Sequence, residues 1–279
     1  MIAIVCPIHK NPEAVAAQVA NYVSVHGSQA MHILHPSRES TEDFSGIASD
    51  KSLNCRVLIC AESLPTSYVS GIGSVISATR EIKKYGNGIS QVYYHSDADL
   101  LVSDGFVETL TKHKNGYRTV QVQKTWHPYK AMIADENFTN LRGNLGIKDD
   151  DIRAGRIEGC FFEIDLWLEM VDIIEKFFPL ESLDNTKTFW PFEEILFSTL
   201  AGKLVGMGKP SSRNIIQTKP IKQTAKGIND RNFEANMVQV AEITAVRSSI
   251  ANKRCVGMKW FSLDMEHPSR KFLTQVLGA

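Results

Sequence analysis

Neither sign of charge is in excess: 31 Lys and Arg balance 31 Asp and Glu, for a formal net charge of zero. A neutral chain has no global electrostatic reason to seek nucleic acid, and no nucleic-acid partner is expected. The basic residues that cluster do so locally, at Lys209, Arg213, Lys219, Lys222, Lys226 and Arg231. Cys6, Cys55, Cys60, Cys160 and Cys255 are an odd, scattered set with no Cys-x-x-Cys pair, which argues against a structural zinc or a disulfide framework. Cys6, Cys60 and Cys160 lie in apolar runs and read as buried free thiols suited to a reducing compartment. No run of eighteen or more apolar residues exists, so no membrane span is expected. The opening MIAIVCPIHK turns polar too soon for a signal peptide, and the expected location is cytoplasmic. There is no internal repeat or low-complexity linker. What remains is a chain of 279 residues, 43% hydrophobic, long enough for one large α/β domain or two small ones.

The most informative stretch is Gln91–Asp104, QVYYHSDADLLVSD. Val92, Tyr93 and Tyr94 predict a buried strand. Polarity then switches at His95, Ser96, Asp97, Ala98 and Asp99 before the apolar pair Leu100 and Leu101. A strand running into Asp-x-Asp sets two carboxylates at the carboxyl edge of a sheet, where α/β proteins bind ligands. Carboxylates so close repel unless a cation neutralises them, and hard divalent ions such as Mg²⁺ or Mn²⁺ prefer oxygen ligands shared with phosphates. The plainer alternative is an acidic loop before a helix that starts near Ser103, with Asp104 in its first turn.

Around this stretch strand and helix alternate. Ile2–Cys6 is a first, central strand ended by Pro7; Asn11, Pro12 and Glu13 are a helix start, with Val15, Val19, Tyr22 and Val23 on one face of that helix. Met31–Leu34 is a second strand running into His35, Pro36 and Ser37. Residues 38–53 are loop with a short helix, and Val57–Cys60 is a third strand. Ser70–Tyr85 is a helix stopped by Gly86–Gly88. Gly105–His113 predicts a helix and Arg118–Gln123 a strand, so the first 125 residues imply a mostly parallel sheet with helices on both faces. The remainder, 126–279, reads as a second half of the same domain. It holds a strand over Arg156–Ile164, a helix over Leu166–Phe178 striped by Leu166, Met170, Ile173, Ile174 and Phe177, and a helix near Asn232–Ala251. The acidic run Asp149–Asp151 reads as a solvated turn.

Two further constellations carry chemistry. Glu193 and Glu194 open a helix behind Phe189, Trp190 and Phe192. The helix end alone accounts for carboxylates there. An apolar wall would also raise a carboxyl pKa and suit a general base that takes a proton from an attacking hydroxyl. Adjacent helical residues diverge by about 100°, so one of the pair faces the site, and Glu194 is the preferred one. His267 stands in Trp260–Pro268, dense with aromatic and ionisable groups, and its imidazole would complement two aspartates around Mn²⁺. His9 and Lys10 follow the first strand, where a nucleotide-binding sheet has its switch point; a solvated turn is the alternative.

Taken in order, the opening Pro7-Ile8-His9, the Ser96-Asp97-Ala98-Asp99 turn, the Gly159-Cys160-Phe161-Phe162 strand and the aromatic-Glu-Glu helix start resemble the GT-A class of nucleotide-sugar-dependent glycosyltransferases. Pro191–Leu200 distantly resembles the acidic segment of the core 2 branching and xylosyltransferase group. The resemblance spans roughly residues 1–200 and implies a single Rossmann-like α/β domain whose C-terminal segment folds back over the active site. It implies a hexosyl- or N-acetylhexosaminyltransferase, inverting, that uses a nucleotide-sugar donor such as a UDP-sugar and a glycan or glycolipid acceptor, in bacterial surface polysaccharide synthesis. Contact with the membrane would be peripheral, through a lipid-linked acceptor. The implied site comprises Glu194 and Glu193 as catalytic carboxylates and Pro7, His9, Ser37, Asp97, Lys259 and Arg270 around the donor. Asp97, Asp99 and His267 would hold Mn²⁺ or Mg²⁺. The chain departs from the branching group in one place: that group generally lacks Asp-x-Asp and works without a metal.

Two other readings are open. Polymerase-β-like nucleotidyltransferases pair a Gly-Ser with a later Asp-x-Asp, and Gly73-Ser74 precedes Asp97 here, though by about twice that family's spacing. A non-catalytic nucleotide- or glycan-binding protein on the same scaffold would bind without turnover.

Overall fold

The computed structural model describes residues 1–66, 71–85, 87–117, 119–183, 192–205, 215–218, 236–248 and 256–277. Expectations for Gly86, Arg118, Phe189, Trp190, Pro191, Cys255 and the basic residues from Lys209 to Arg231 fall outside them.

The first strand, β1 (Ile2–Ile8), is apolar along its whole length because both faces are covered. Ala3 and Val5 pack with α3 (Ile72–Tyr85), whereas Cys6 and Ile8 pack with α1 (Pro12–His26). Asn11 caps α1 as expected: its Oδ1 accepts the Ala14 N–H at 3.0 Å, with Pro12 and Glu13 in the first turn. The main sheet runs β3-β2-β1-β4-β8, where β2 is Ala30–Pro36, β3 Arg56–Ile59, β4 Gln91–Tyr94 and β8 Cys160–Glu163. Neighbours among β1 to β4 are parallel, and β8 pairs antiparallel on β4, with Tyr94 opposite Cys160. The architecture is therefore mixed α/β with a central, mostly parallel five-stranded sheet flanked by helices. The loop over 38–53 carries the short α2 (Ser45–Ser49), as read from its composition.

The Asp-x-Asp strand departs from expectation. β4 stops at Tyr94, and the chain turns and re-enters as β5 (Asp99–Leu101), which leaves the main sheet. A second sheet, β5-β10-β9, combines it with β9 (Ile216–Thr218) and β10 (Gly257–Lys259). Leu100 and Leu101 are buried there, which explains the apolar pair after the acidic turn. Helix α4 (Phe106–Lys112) follows. The strand read over Arg118–Gln123 shrinks to β6 (Val120–Gln121), paired with β7 (Arg153–Ala154) across α5 (His127–Ala134) and α6 (Glu136–Leu145). Asp149–Asp151 is a solvated turn, with Asp149 on Arg142.

Helix α7 (Ile164–Phe177) buries a face rotated from the one expected. Trp167, Met170, Val171 and Ile174 are fully buried, while Leu166, Ile173 and Phe177 lie at the margin. The cause is packing between α3 and α9 (Phe192–Leu204): Trp167 Nε1 donates to Thr79 Oγ1 at 2.8 Å. Burying each such side chain stabilises by about 1.5–3 kcal/mol. Beyond α8 (Leu180–Leu183), the C-terminal part supplies α10 (Val240–Ser248) and α11 (Pro268–Leu277). These enclose a small core of Leu100, Val102, Ile243, Met258, Phe261 and Leu273.

Candidate active site

The strand order reverses its winding between β1 and β4, so the crevice outside their carboxyl ends is the topological switch point. From β1 the chain reaches Pro7 and His9. Ser37, at the end of β2, donates its backbone N–H to Ile8 O at 2.9 Å and its hydroxyl to Glu39. His9 Nε2 lies 3.1 Å from Thr66 Oγ1. The residues expected on the donor side thus share one neighbourhood at this edge. Beside them His35 is fully buried, accepts the Leu64 N–H at 3.0 Å, and is pushed down to about 4 by burial.

From β4 the chain enters the acidic turn, which is held from three sides. Asp99 Oδ2 accepts the Ser96 N–H at 2.8 Å. Gln18 on α1 donates to Ser96 O at 2.6 Å and Asp99 O at 2.7 Å. Ala98 O accepts both the Trp260 and Phe261 N–H groups, at 3.1 and 2.9 Å. Trp260 makes its share of this bond in a left-handed conformation, φ 85°, which few bulky residues adopt. The C-terminal segment therefore folds back over the carboxyl edge, as expected. Asn11 Nδ2 ties it down again by donating to Leu263 O at 2.8 Å.

Lys259 sits inside this arrangement at 3% exposure. Its Nζ donates to Ser96 Oγ at 3.0 Å, pairs directly with Glu158, and lies 3.8 Å from Asp99 Oδ1. The two carboxylates respond differently. Burial pushes Asp99 up to about 6, with Lys259 opposing. Burial also acts upward on Glu158, but the contact with Lys259, helped by Arg156, overrides it and holds that carboxyl at about 2. Glu158 escaped the sequence reading; the only signal was a carboxylate directly before the Gly-Cys-Phe-Phe strand.

Arg270 is 3% exposed; Nε donates to Ser262 O, and Nη2 has no hydrogen-bond partner among the described residues. Burial lowers its guanidinium to about 10, against the pull of Asp97 and Asp264. His267 is buried, and its Nδ1 accepts the Ser269 N–H at 3.3 Å and lies 2.7 Å from Ser269 Oγ, in the first turn of α11. That is a capping role.

The expected metal ligands can be tested on this geometry. Asp99 and Glu158 already share an ammonium, and Asp97 lies within the field of the Arg270 guanidinium. His267 uses as an acceptor the nitrogen that a metal-bound imidazole normally turns to a carboxylate or carbonyl as a donor. Among the described residues, no three His, Cys, Asp or Glu side chains gather as an ion-holding group. Asp97, Asp99 and His267 as placed do not fit a divalent ion.

The glutamate pair divides. Glu193 turns inward toward Gly71 and Tyr94: a Cβ on Gly71 would stand 3.2 Å from both Glu193 Oε1 and the Tyr94 hydroxyl. Tyr94 in turn lies 3.0 Å from Ser74 Oγ. Glu193 Oε2 is buried with no hydrogen-bond partner among the described residues. Burial pushes Glu193 up to about 8, aided by Glu194 and Glu158, while the backbone N–H groups of Glu193 and Gly71 oppose the shift. Glu194, the preferred residue in the sequence, is half-buried to the same degree as Glu193, and its carbonyl accepts the Gly155 N–H at 2.8 Å. Gly73 has a packing reason: a Cβ there would come 2.5 Å from Pro65 O.

No family model matches the chain, and no curated protein matches it. Among solved structures, the galactosyltransferase LgtC, in complex with donor and acceptor sugar analogs, aligns with 100% of this chain and 95% of its own. The TM-score is 0.42 and the identity 10%. An active-site mutant of LgtC aligns over the same shares at TM-score 0.44 and 8% identity. Likenesses at this level carry no assignment. No helix among the described residues is long and apolar enough to cross a membrane.

Proposed function

We propose that the chain is a glycosyltransferase of the GT-A class, transferring a sugar from a nucleotide-sugar donor to a hydroxyl of a glycan acceptor. One observation carries this reading: a carboxyl group with an unpartnered, buried oxygen, Glu193, stands by the end of β4 on a sheet edge that also carries the buried cations Lys259 and Arg270. Unpaired buried polar atoms are rare enough to need a reason, and at a switch point ligand binding supplies one. The sequence resemblance supports the same class.

In this reading the nucleotide lies over Pro7, His9 and Ser37. Lys259 and Arg270 face the diphosphate, Arg by its planar fork. The ionised Glu193 takes the proton of the acceptor hydroxyl while that oxygen attacks the anomeric carbon from the side opposite the leaving diphosphate. This is the inverting course, with Glu193 rather than Glu194 as the base. Water exclusion around Glu193 keeps its basicity near the neutral range, which a base needs to be both ionised and effective. A UDP-sugar donor, a hexosyl or N-acetylhexosaminyl group, and a cytoplasmic role in surface polysaccharide synthesis are the finer parts of the proposal.

The test is a thermal-shift panel of sugar nucleotides and of nucleoside triphosphates, followed by transfer assays with the donors that bind. A sugar nucleotide at 100 times its dissociation constant should stabilise the chain by about 2.7 kcal/mol. Stabilisation by triphosphates alone, with nucleotidyl transfer, would overturn the proposal in favour of the nucleotidyltransferase reading. Binding of a sugar nucleotide without any transfer would favour the non-catalytic one.

A further inference from the structure

Three oxygens surround one buried ammonium at the acidic turn. Ser96 Oγ is 3.0 Å from Lys259 Nζ, Glu158 is in direct contact, and Asp99 Oδ1 is 3.8 Å away. The third is the telling one. Asp99 is fully buried, its Oδ2 is used by the Ser96 N–H, and its Oδ1 has no hydrogen-bond partner among the described residues. A carboxylate and a hydroxyl converging with an orphaned carboxylate oxygen are a hard-oxygen donor set of the kind divalent ions select. Here a side chain delivers the cation.

The backbone explains how the ammonium is held in place. Lys259 ends β10, in register with Asp99 of β5. Gly257, two residues earlier, lies against Leu100 O and the Ile216 side chain, where a Cβ would meet Ile216 Cδ1 at 2.3 Å. A Cβ there would also come 3.1 Å from Leu100 O, so glycine lets β10 seat without displacing the Ile216 side chain or crowding that carbonyl. Trp260 then bends back to Ala98 O, and the Lys259 ammonium lies 5.0 Å from its ring centroid.

We propose that Lys259 permanently fills, as a tethered cation, the seat among Asp99, Glu158 and Ser96 that would otherwise take a divalent ion, and that removing its ammonium uncovers a divalent-ion site. On the transferase reading above, the acidic turn beside the donor is then held together by a fixed ammonium instead of an exchangeable ion.

Mn²⁺ binding, read from the loss of the free-ion paramagnetic resonance signal at pH 8 without any sugar nucleotide, tests this. The native chain should leave the signal undiminished. Lys259→Ala should remove one equivalent of Mn²⁺ per chain, and Lys259→Ala with Asp99→Asn should restore the free signal. Lys259→Met, which keeps the packed aliphatic stem, is the partner variant should the alanine chain fold poorly. Stoichiometric, Asp99-dependent Mn²⁺ binding by the native chain would overturn the proposal, as would folded Ala and Met variants that take up no ion. The donor is absent, so failure here leaves the transferase reading standing, and failure of the donor panel leaves this one standing.

Discussion

Replacing Glu193 by Gln removes a titratable group from a place that resists its charge. An ordinary glutamate ionises near 4.5, whereas burial pushes Glu193 up to about 8. The folded chain thus holds a proton that the unfolded chain releases. Below about pH 4.5 both states keep it and the group costs nothing. As pH rises from there, ionisation favours the unfolded state, and the penalty levels off only above about 8. Its size follows from the shift, at 1.36 kcal/mol per pH unit: about 3 kcal/mol at pH 7, rising toward about 5 above pH 9. Gln has the shape of the protonated acid, and its extra amide hydrogen lacks a partner at every pH, so that cost shifts the whole curve without bending it. Thermal melts of native and Glu193→Gln chains from pH 4 to 9 should converge in shape near pH 4. They should separate above it, with the variant gaining on the order of 5–10 °C by pH 7 relative to their difference at pH 4. The same variant should lose turnover by roughly 10²–10⁴-fold while binding donor normally, and native turnover should climb through pH 8. A difference in melting temperature that does not change with pH would show that Glu193 is not held in its neutral form and would sink the reasoning.

Two further outcomes follow from packing and burial. Gly73→Ala puts a methyl group 2.5 Å from Pro65 O and should destabilise by about 1–3 kcal/mol in urea melts, an unchanged midpoint refuting the close approach. His35 is kept neutral by burial, from 6.5 down to about 4, so its contribution is complete above 6.5 and lost as pH falls toward 4. It should cost the fold about 2 kcal/mol at pH 5, and urea melts of His35→Gln should show a shallower decline between pH 7.5 and 5 than the native chain; equal slopes would contradict it.

The elements legible in the sequence were those whose signal is local. Asn11-Pro12-Glu13 marks the start of α1 by capping chemistry alone, and Ile2–Cys6 reads as a central strand because both its faces are apolar. The acidic turn was legible as a turn, and the return of the C-terminal segment was implied by the family resemblance. What lies around Lys259 was not. Its oxygens come from residues 96, 99 and 158, and no spacing rule links a lysine to a glutamate 101 positions away. The orientation of the glutamate pair was hidden for a related reason. Helical geometry says that Glu193 and Glu194 diverge, but which one turns inward depends on where α9 lies against Gly71 and Tyr94. The face of α7 was misplaced likewise, since Trp167 is drawn inward by Thr79 on a different helix.

The bond between Asn11 and Leu263 spans 252 positions, and β10 threads between β5 and β9, both of which precede it in the sequence. Order of synthesis then matters. The main sheet can close once β8 has emerged, because β1 to β4 and β8 need nothing later for their pairing. Asp99 and Ala98 must wait about another hundred residues for Lys259 and Trp260. A nascent chain would pass through a stage with its scaffold formed and its acidic edge unneutralised, β5 lacking the partner it has in the finished fold. Closing so long a loop is slow, and an unpaired strand invites misassociation in the interval. The chain would become competent only once residues 257–263 have emerged, in a single late step that fastens the carboxyl edge.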